Sequence, residues 1–241
     1  MFWKESKGLR NIPGSSKIAL TAFLVLIGVA YIFGFGNIYL TYSPIDQEKG
    51  LSVTDIRTAY YGAREATKLE KSIDGTMLEY FESDADVNTV KAWIKGGGEQ
   101  EDFGPVKEIF DKSCNSCHST DVEVAGVALE TYKQVEPFLK QDTGKSVSRL
   151  VSLSHTHLFG VLPILFIMTF IFSFTAFLET FKKVIFSVAF FAAAADIASW
   201  WLAKAVGALA PLVILAGTLL GISFIVLILA SLYDIWLKKK A

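Results

Sequence analysis

Cys114 and Cys117 are the only cysteines in the chain, and both fall in the stretch KSCNSCHST, where His118 follows at once. C-x-x-C-H is the spacing at which two thiols form thioethers to neighbouring vinyl groups of one haem while the adjacent imidazole ligates its iron. The spacing suits the macrocycle, because two cysteines about one helical turn apart can reach neighbouring vinyls. Three other chemistries use close cysteines. A thioredoxin-like C-x-x-C needs a βαβ setting, and no such pattern flanks it. Half a zinc site needs further ligands, yet the remaining histidines, His155 and His157, stand far downstream. A disulfide between residues this close gains little from loop closure. The pattern therefore points to one covalent haem c, with Cys114 and Cys117 as thioether residues and His118 as proximal iron ligand.

The surrounding chain must place that motif. Of 241 residues, 52% are hydrophobic and mean hydropathy is +0.42, above the usual soluble composition of about 45–50% apolar. Charge is segregated. Residues 41–153 hold 20 of the 24 acids and 13 of the 23 bases, a net of −7. The flanking sequence is very apolar and nearly free of acid. Four runs are long enough to span a bilayer: 18–40, 158–178, 184–203 and 212–237. The last two are separated by KAVGALAP, where Gly207 and Pro211 favour a break.

The expected fold is all-α. Four transmembrane helices carry an external, mainly helical haem domain inserted between the first and second. The expected boundaries are a 1–17 cytoplasmic segment, an 18–40 span, a 41–153 periplasmic domain and a 154–241 three-helix membrane domain. Orientation follows from lysine and arginine. Lys4, Lys7, Arg10 and Lys17 precede the first span, Lys182 and Lys183 separate the second from the third, and Lys238, Lys239 and Lys240 close the chain. All fall on one side of a four-span protein, which the positive-inside rule makes cytoplasmic. Tyr39, Tyr42, Trp200, Trp201, Tyr233 and Trp236 mark the interfaces. The first run is read as a retained anchor, since it is about twice a usual signal h-region and no A-x-A-like site follows.

Within 41–153, Thr54 and Asp55 can cap a helix through Tyr61, and Ser83 or Asp84 can open another that stops at Gly96-Gly97-Gly98. A third starts at Gly104-Pro105 and runs through the C-x-x-C-H, with Val106, Ile109, Phe110, Ser113 and Cys117 on one apolar face. LETYKQVEPFL reads as helical. No repeat, phosphate-binding glycine loop or Ser-His-Asp arrangement occurs, and nothing suggests nucleic acid.

The runs FGPVKEIFDKSCNSCHS, VALETYKQV and TGKSVSRLVSLSHTH resemble the small single-haem c-type cytochrome domain of bacterial membrane oxidoreductases. With SHTHLFG opening a membrane span, the chain also looks like membrane-anchored cytochromes of respiratory chains. The resemblance covers about 50 residues and is specific at Cys114, Cys117 and His118. It implies an electron-transfer subunit in the inner membrane, with haem in the periplasm, both termini cytoplasmic, and other membrane or periplasmic redox subunits as partners. Such domains usually supply a distal methionine after the motif, but here the next is Met168, inside a span. His157 is the expected distal ligand, with His155 and Met77 as alternatives. If the segment is helical, two histidines two positions apart point about 200° apart, so one haem takes only one of them.

Asp196 lies within the third span, where an ionisable group costs about 2.5–3.5 kcal/mol. It is a candidate proton or quinol site, or a hydrogen bond inside the bundle. Gly217-x-x-x-Gly221 lets another helix approach closely. The alternative functions are a quinol-oxidising enzyme subunit using the SHTH histidines, and a haem-based sensor, which lacks an evident output domain.

Overall fold

A computed structural model of the chain describes residues 8–43, 45–46, 48–122 and 126–237. Lys4, Lys7 and the lysines at 238–240, which bear on the expected orientation, lie outside them. In chain order the helices are α1 (Gly14–Tyr42), α2 (Val53–Tyr61), α3 (Lys68–Asp74), α4 (Asp84–Lys95), α5 (Phe103–Ser113), α6 (Tyr132–Val135), α7 (Val147–Ser173), α8 (Glu179–Ala205) and α9 (Pro211–Trp236). Among the described residues β pairing is limited to an isolated bridge between Thr67 and Gln141. The chain divides into two compact units, one of residues 1–41 with 145–241 and one of residues 42–144.

The first unit holds the four helices long and apolar enough to cross a membrane. At 1.5 Å per residue each reaches about 40 Å, against a hydrocarbon core of about 30 Å. This is a multi-pass membrane protein. Leu165, Met168 and Phe172 of α7, Ala189 and Ala192 of α8, and Leu220 and Phe224 of α9 form its core, with Phe23, Ile27 and Tyr31 of α1 against them. The alanines and glycines serve close approach, because in lipid the helices gain by packing rather than by leaving water. Gly221 shows the use of the Gly-x-x-x-Gly stripe. A Cβ there would meet Tyr31 Cζ at 3.1 Å, and the Tyr31 ring lies stacked on Phe224 at 5.4 Å. The stripe seats α1 on α9 within the chain.

Several helix ends differ from the sequence reading. The second span was expected to run to Leu178, but α7 ends at Ser173 and a turn follows. It also begins about two turns before Ser154, because Ser146 is the cap, its hydroxyl accepting the Arg149 N–H at 3.1 Å. Ser154, which stands just before the apolar run and by residue type could cap it, lies inside the helix instead. Lys182 is not a loop charge. It sits in the first turn of α8, 5% exposed, donating to the Ser173 carbonyl at 2.8 Å and to Glu179 at 3.0 Å. A cation at the last carbonyls of α7 complements the helix dipole.

The second unit packs short helices on a core of Val90, Val106, Phe110 and Val135. Trp93 stacks obliquely on Phe103 at 5.5 Å and gives its N–H to the Glu99 carbonyl at 2.9 Å. Ser83 caps α4 as expected. The cap of α2 is Ser52 rather than Thr54 or Asp55. Ser52 and Asp55 form a reciprocal capping box, and Asp55 is fully buried. Asp142 closes the unit, accepting from Ala63 N at 2.9 Å and Gly144 N at 2.8 Å. Gly62 and Gly144 have φ of +90° and +66°, and a side chain at either would strike the opposing backbone.

Candidate functional site

The C-x-x-C-H segment begins where α5 stops. Val106, Ile109, Phe110 and Ser113 are buried along its inner face. Two successive N–H groups, of Cys114 and Asn115, then converge on the Phe110 carbonyl at 2.8 and 2.9 Å, so the regular ladder ends. Cys117 therefore does not continue the apolar face as its spacing suggested. It is exposed, while Cys114 is half-buried, and both thiols are free. A tight turn replaces the helix, with His118 N bonded to the Cys114 carbonyl at 2.9 Å.

Two bonds set His118. Its carbonyl accepts the Leu129 N–H at 2.8 Å. Its Nδ1 lies 3.0 Å from the Val127 carbonyl oxygen. A carbonyl can only accept, so Nδ1 carries the proton and Nε2 keeps the lone pair. That is the tautomer of a metal-binding imidazole whose other nitrogen is tied to the protein. The return of the loop is clamped by Glu130, which accepts from the Thr120 hydroxyl and, at 3.0 Å, from the Thr120 N–H. These two bonds hold the Glu130 carboxyl below the usual carboxylate range. Lys107 and Asn115 do the same for Asp111. Groups with lowered pKa stabilise above their ordinary value and cease to as pH falls through the folded one. The loop is thus tightest at neutral pH.

Among the described residues no three His, Cys, Asp or Glu side chains converge as a metal-ion site. Two free thiols and one fixed imidazole in a single turn, at the end of a helix with a buried apolar face, form a donor set that suits covalent attachment of a planar, apolar, iron-bearing group.

Burial pushes the Cys114 thiol up to about 11. Against an ordinary value near 9.0, its thiolate fraction at neutral pH is about a hundredfold lower. In chain carrying free thiols, iodoacetamide is expected to modify Cys117 at pH 8 while Cys114 lags far behind. The Cys114 rate should climb about tenfold per pH unit up to pH 10. Peptide mass spectrometry follows each thiol, and equal rates at pH 8 would remove burial as a control on Cys114.

A second group of functional side chains lies in the membrane unit. His157 Nε2 is 3.4 Å from Asp196 Oδ2. Asp196 is 6% exposed. The imidazole meets the Trp200 ring edge-on at 5.0 Å, and Trp201 Nε1 donates to Ser154 Oγ at 3.1 Å. His155 is exposed on another side of α7, against Phe159 at 4.7 Å. The two histidines diverge as helical geometry requires. Residues 130–241 match a family model described as a transmembrane helical domain. The match spans α6 to α9, just under half of the chain, and contains both His157 and Asp196. No curated protein and no solved structure matches the chain. Met77 precedes a 3-10 turn, Leu78–Tyr80, and is partly buried.

Sequence reasoning missed Val127, Glu130 and Thr120. Val127 contributes only a backbone oxygen, which any residue supplies. The Thr120–Glu130 clamp bridges a loop with no periodic signal.

Proposed function

We propose that the chain is an electron-transfer subunit carrying one covalent c-type haem on the outer face of a bacterial inner membrane, within a larger respiratory complex. The observation that carries this reading is the His118 ring, tied at Nδ1 to the Val127 carbonyl with its Nε2 lone pair kept for a metal. Haem bound there supplies one-electron chemistry at its iron. The protein's residues anchor and tune. Cys114 and Cys117 provide the thioether sulfurs, and His118 provides the proximal nitrogen. The Val127 carbonyl fixes the ring plane and the tautomer. The buried face of α5 holds the motif against a packed core.

The outward placement rests on two arguments. Arg10 and Lys17 stand at the start of α1, which favours a cytoplasmic N-terminus. With one span before it, residues 42–144 then emerge outside, where such haem is attached. An electron carrier of this kind docks redox partners in or beside the membrane.

The test is direct. Full chain expressed with a haem-attachment system and then denatured should retain haem by gel stain. Its peptide spanning 112–120 should be heavier by the mass of one haem. A denatured chain with no haem and two alkylatable thiols at 114 and 117 would sink the proposal.

A further inference from the structure

The His157–Asp196 pair lies within the membrane unit, and its geometry describes a site of its own. Asp196 is eighteenth of the 27 residues of α8, about 14 Å from the helix end. His157 lies about 15 Å along α7 from Val147. The two meet one helical turn from Trp200, near the aromatic edge of the apolar runs 158–178 and 184–203. Enclosing a carboxylate there is costly, and a polar pair retained there needs a use or a strong structural reason.

The two partners are unequally exposed. The side chain of His157 is 41% exposed and that of Asp196 9%. The carboxylate is enclosed, and the imidazole stands between it and the lipid-facing surface. His157 directs Nε2 inward to Asp196. Among the described residues no protein hydrogen-bond partner meets its Nδ1. Trp200 forms an aromatic wall beside the ring. The ring is thus flanked by a carboxylate on one side and an indole on the other, and Nδ1 faces the exposed side.

What can reach such a nitrogen from within a bilayer must be lipid-soluble, flat enough to lie beside an indole, and able to donate one hydrogen bond. We infer that His157 and Asp196 form a binding site for a membrane hydroquinone, whose hydroxyl donates to His157 Nδ1. The site goes beyond the proposed electron-transfer role and stands without it.

The experiment uses full-length protein in lipid nanodiscs under argon, with histidine labelled with ¹⁵N. Decylubiquinol is titrated in, and empty nanodiscs give the partition background. Saturable binding is expected, with a shift of the His157 Nδ1 resonance while His118 stays fixed. Asp196→Asn and His157→Gln should each weaken binding at least tenfold, with unfolding midpoints recorded to separate misfolding from lost contact. His155→Gln should bind as wild type. Binding by wild-type protein no greater than partition into empty nanodiscs would overturn the inference. So would a His157 resonance indifferent to the titrant, which would leave the pair a packing contact alone.

Discussion

Replacing Cys114 and Cys117 together by alanine is expected to abolish covalent haem completely while the four membrane helices still assemble. The backbone bonds of the motif's turn do not involve the thiols: Cys114 N and Asn115 N bond to Phe110, and Cys117 N and His118 N to Cys114. Alanine keeps every one of them. The core beneath is built by Val90, Val106, Phe110 and Val135, so the unit of residues 42–144 should retain its helices by circular dichroism. Each single variant leaves at most one thioether, and the pyridine adduct of its haem should absorb at longer wavelength than that of wild type, since one vinyl survives. His118→Ala tests the third atom separately. Both sulfurs remain, so haem should still attach, but the iron loses its proximal nitrogen. Added imidazole should restore a low-spin spectrum. A double variant with unchanged haem stain after denaturation would exclude the cysteines from attachment.

What could be read ahead of the structure follows the range of the interactions. The C-x-x-C-H motif, the Ser83 cap and the four apolar runs are local patterns, and each is legible within a few residues or one helix. The limits appear where a pattern was carried beyond its element. Cys117 fits the 3.6-residue period of α5, yet the ladder stops at Phe110, and period alone does not mark that end. Ser154 looks like a cap before an apolar run, but Ser146 starts α7 earlier, because a helix need not begin at the edge of hydrophobicity. The meeting of His157 with Asp196 joins different helices, and no local rule forecasts a contact at that separation. Asp196 was legible as an anomaly in a span. Its partner was legible only as a histidine whose role had competing readings. Asp234 was not singled out at all, since an acid near the end of a span resembles an interfacial charge.

Asp234 is where the largest structural effect is expected. It is fully buried, and its two oxygens join parts of the chain remote in sequence. Oδ2 accepts the Leu9 N–H at 2.7 Å, and Oδ1 accepts the Ala176 N–H at 3.0 Å. One carboxylate thus holds the segment before α1 and the turn between α7 and α8 to the end of α9. Arg10 adds a bond to the Trp236 carbonyl at 2.5 Å, and the Trp236 indole donates to Thr21 Oγ1 at 3.0 Å. Asp234→Ala leaves the buried Leu9 N–H and the part-buried Ala176 N–H without their acceptor. A loss of about 2–4 kcal/mol is expected, most of it from the buried group, and the thermal midpoint in detergent should fall by several degrees. Asp234→Asn keeps the shape and one acceptor oxygen, so it should cost about half as much. Limited proteolysis localises the effect: cleavage at Arg10 and Lys17 should accelerate in Asp234→Ala before the core of α7 to α9 opens. An alanine variant that melts with wild type, its Arg10 equally protected, would show that the apolar contacts of Leu9, Leu24, Ile171 and Ile235 hold this end without the carboxylate.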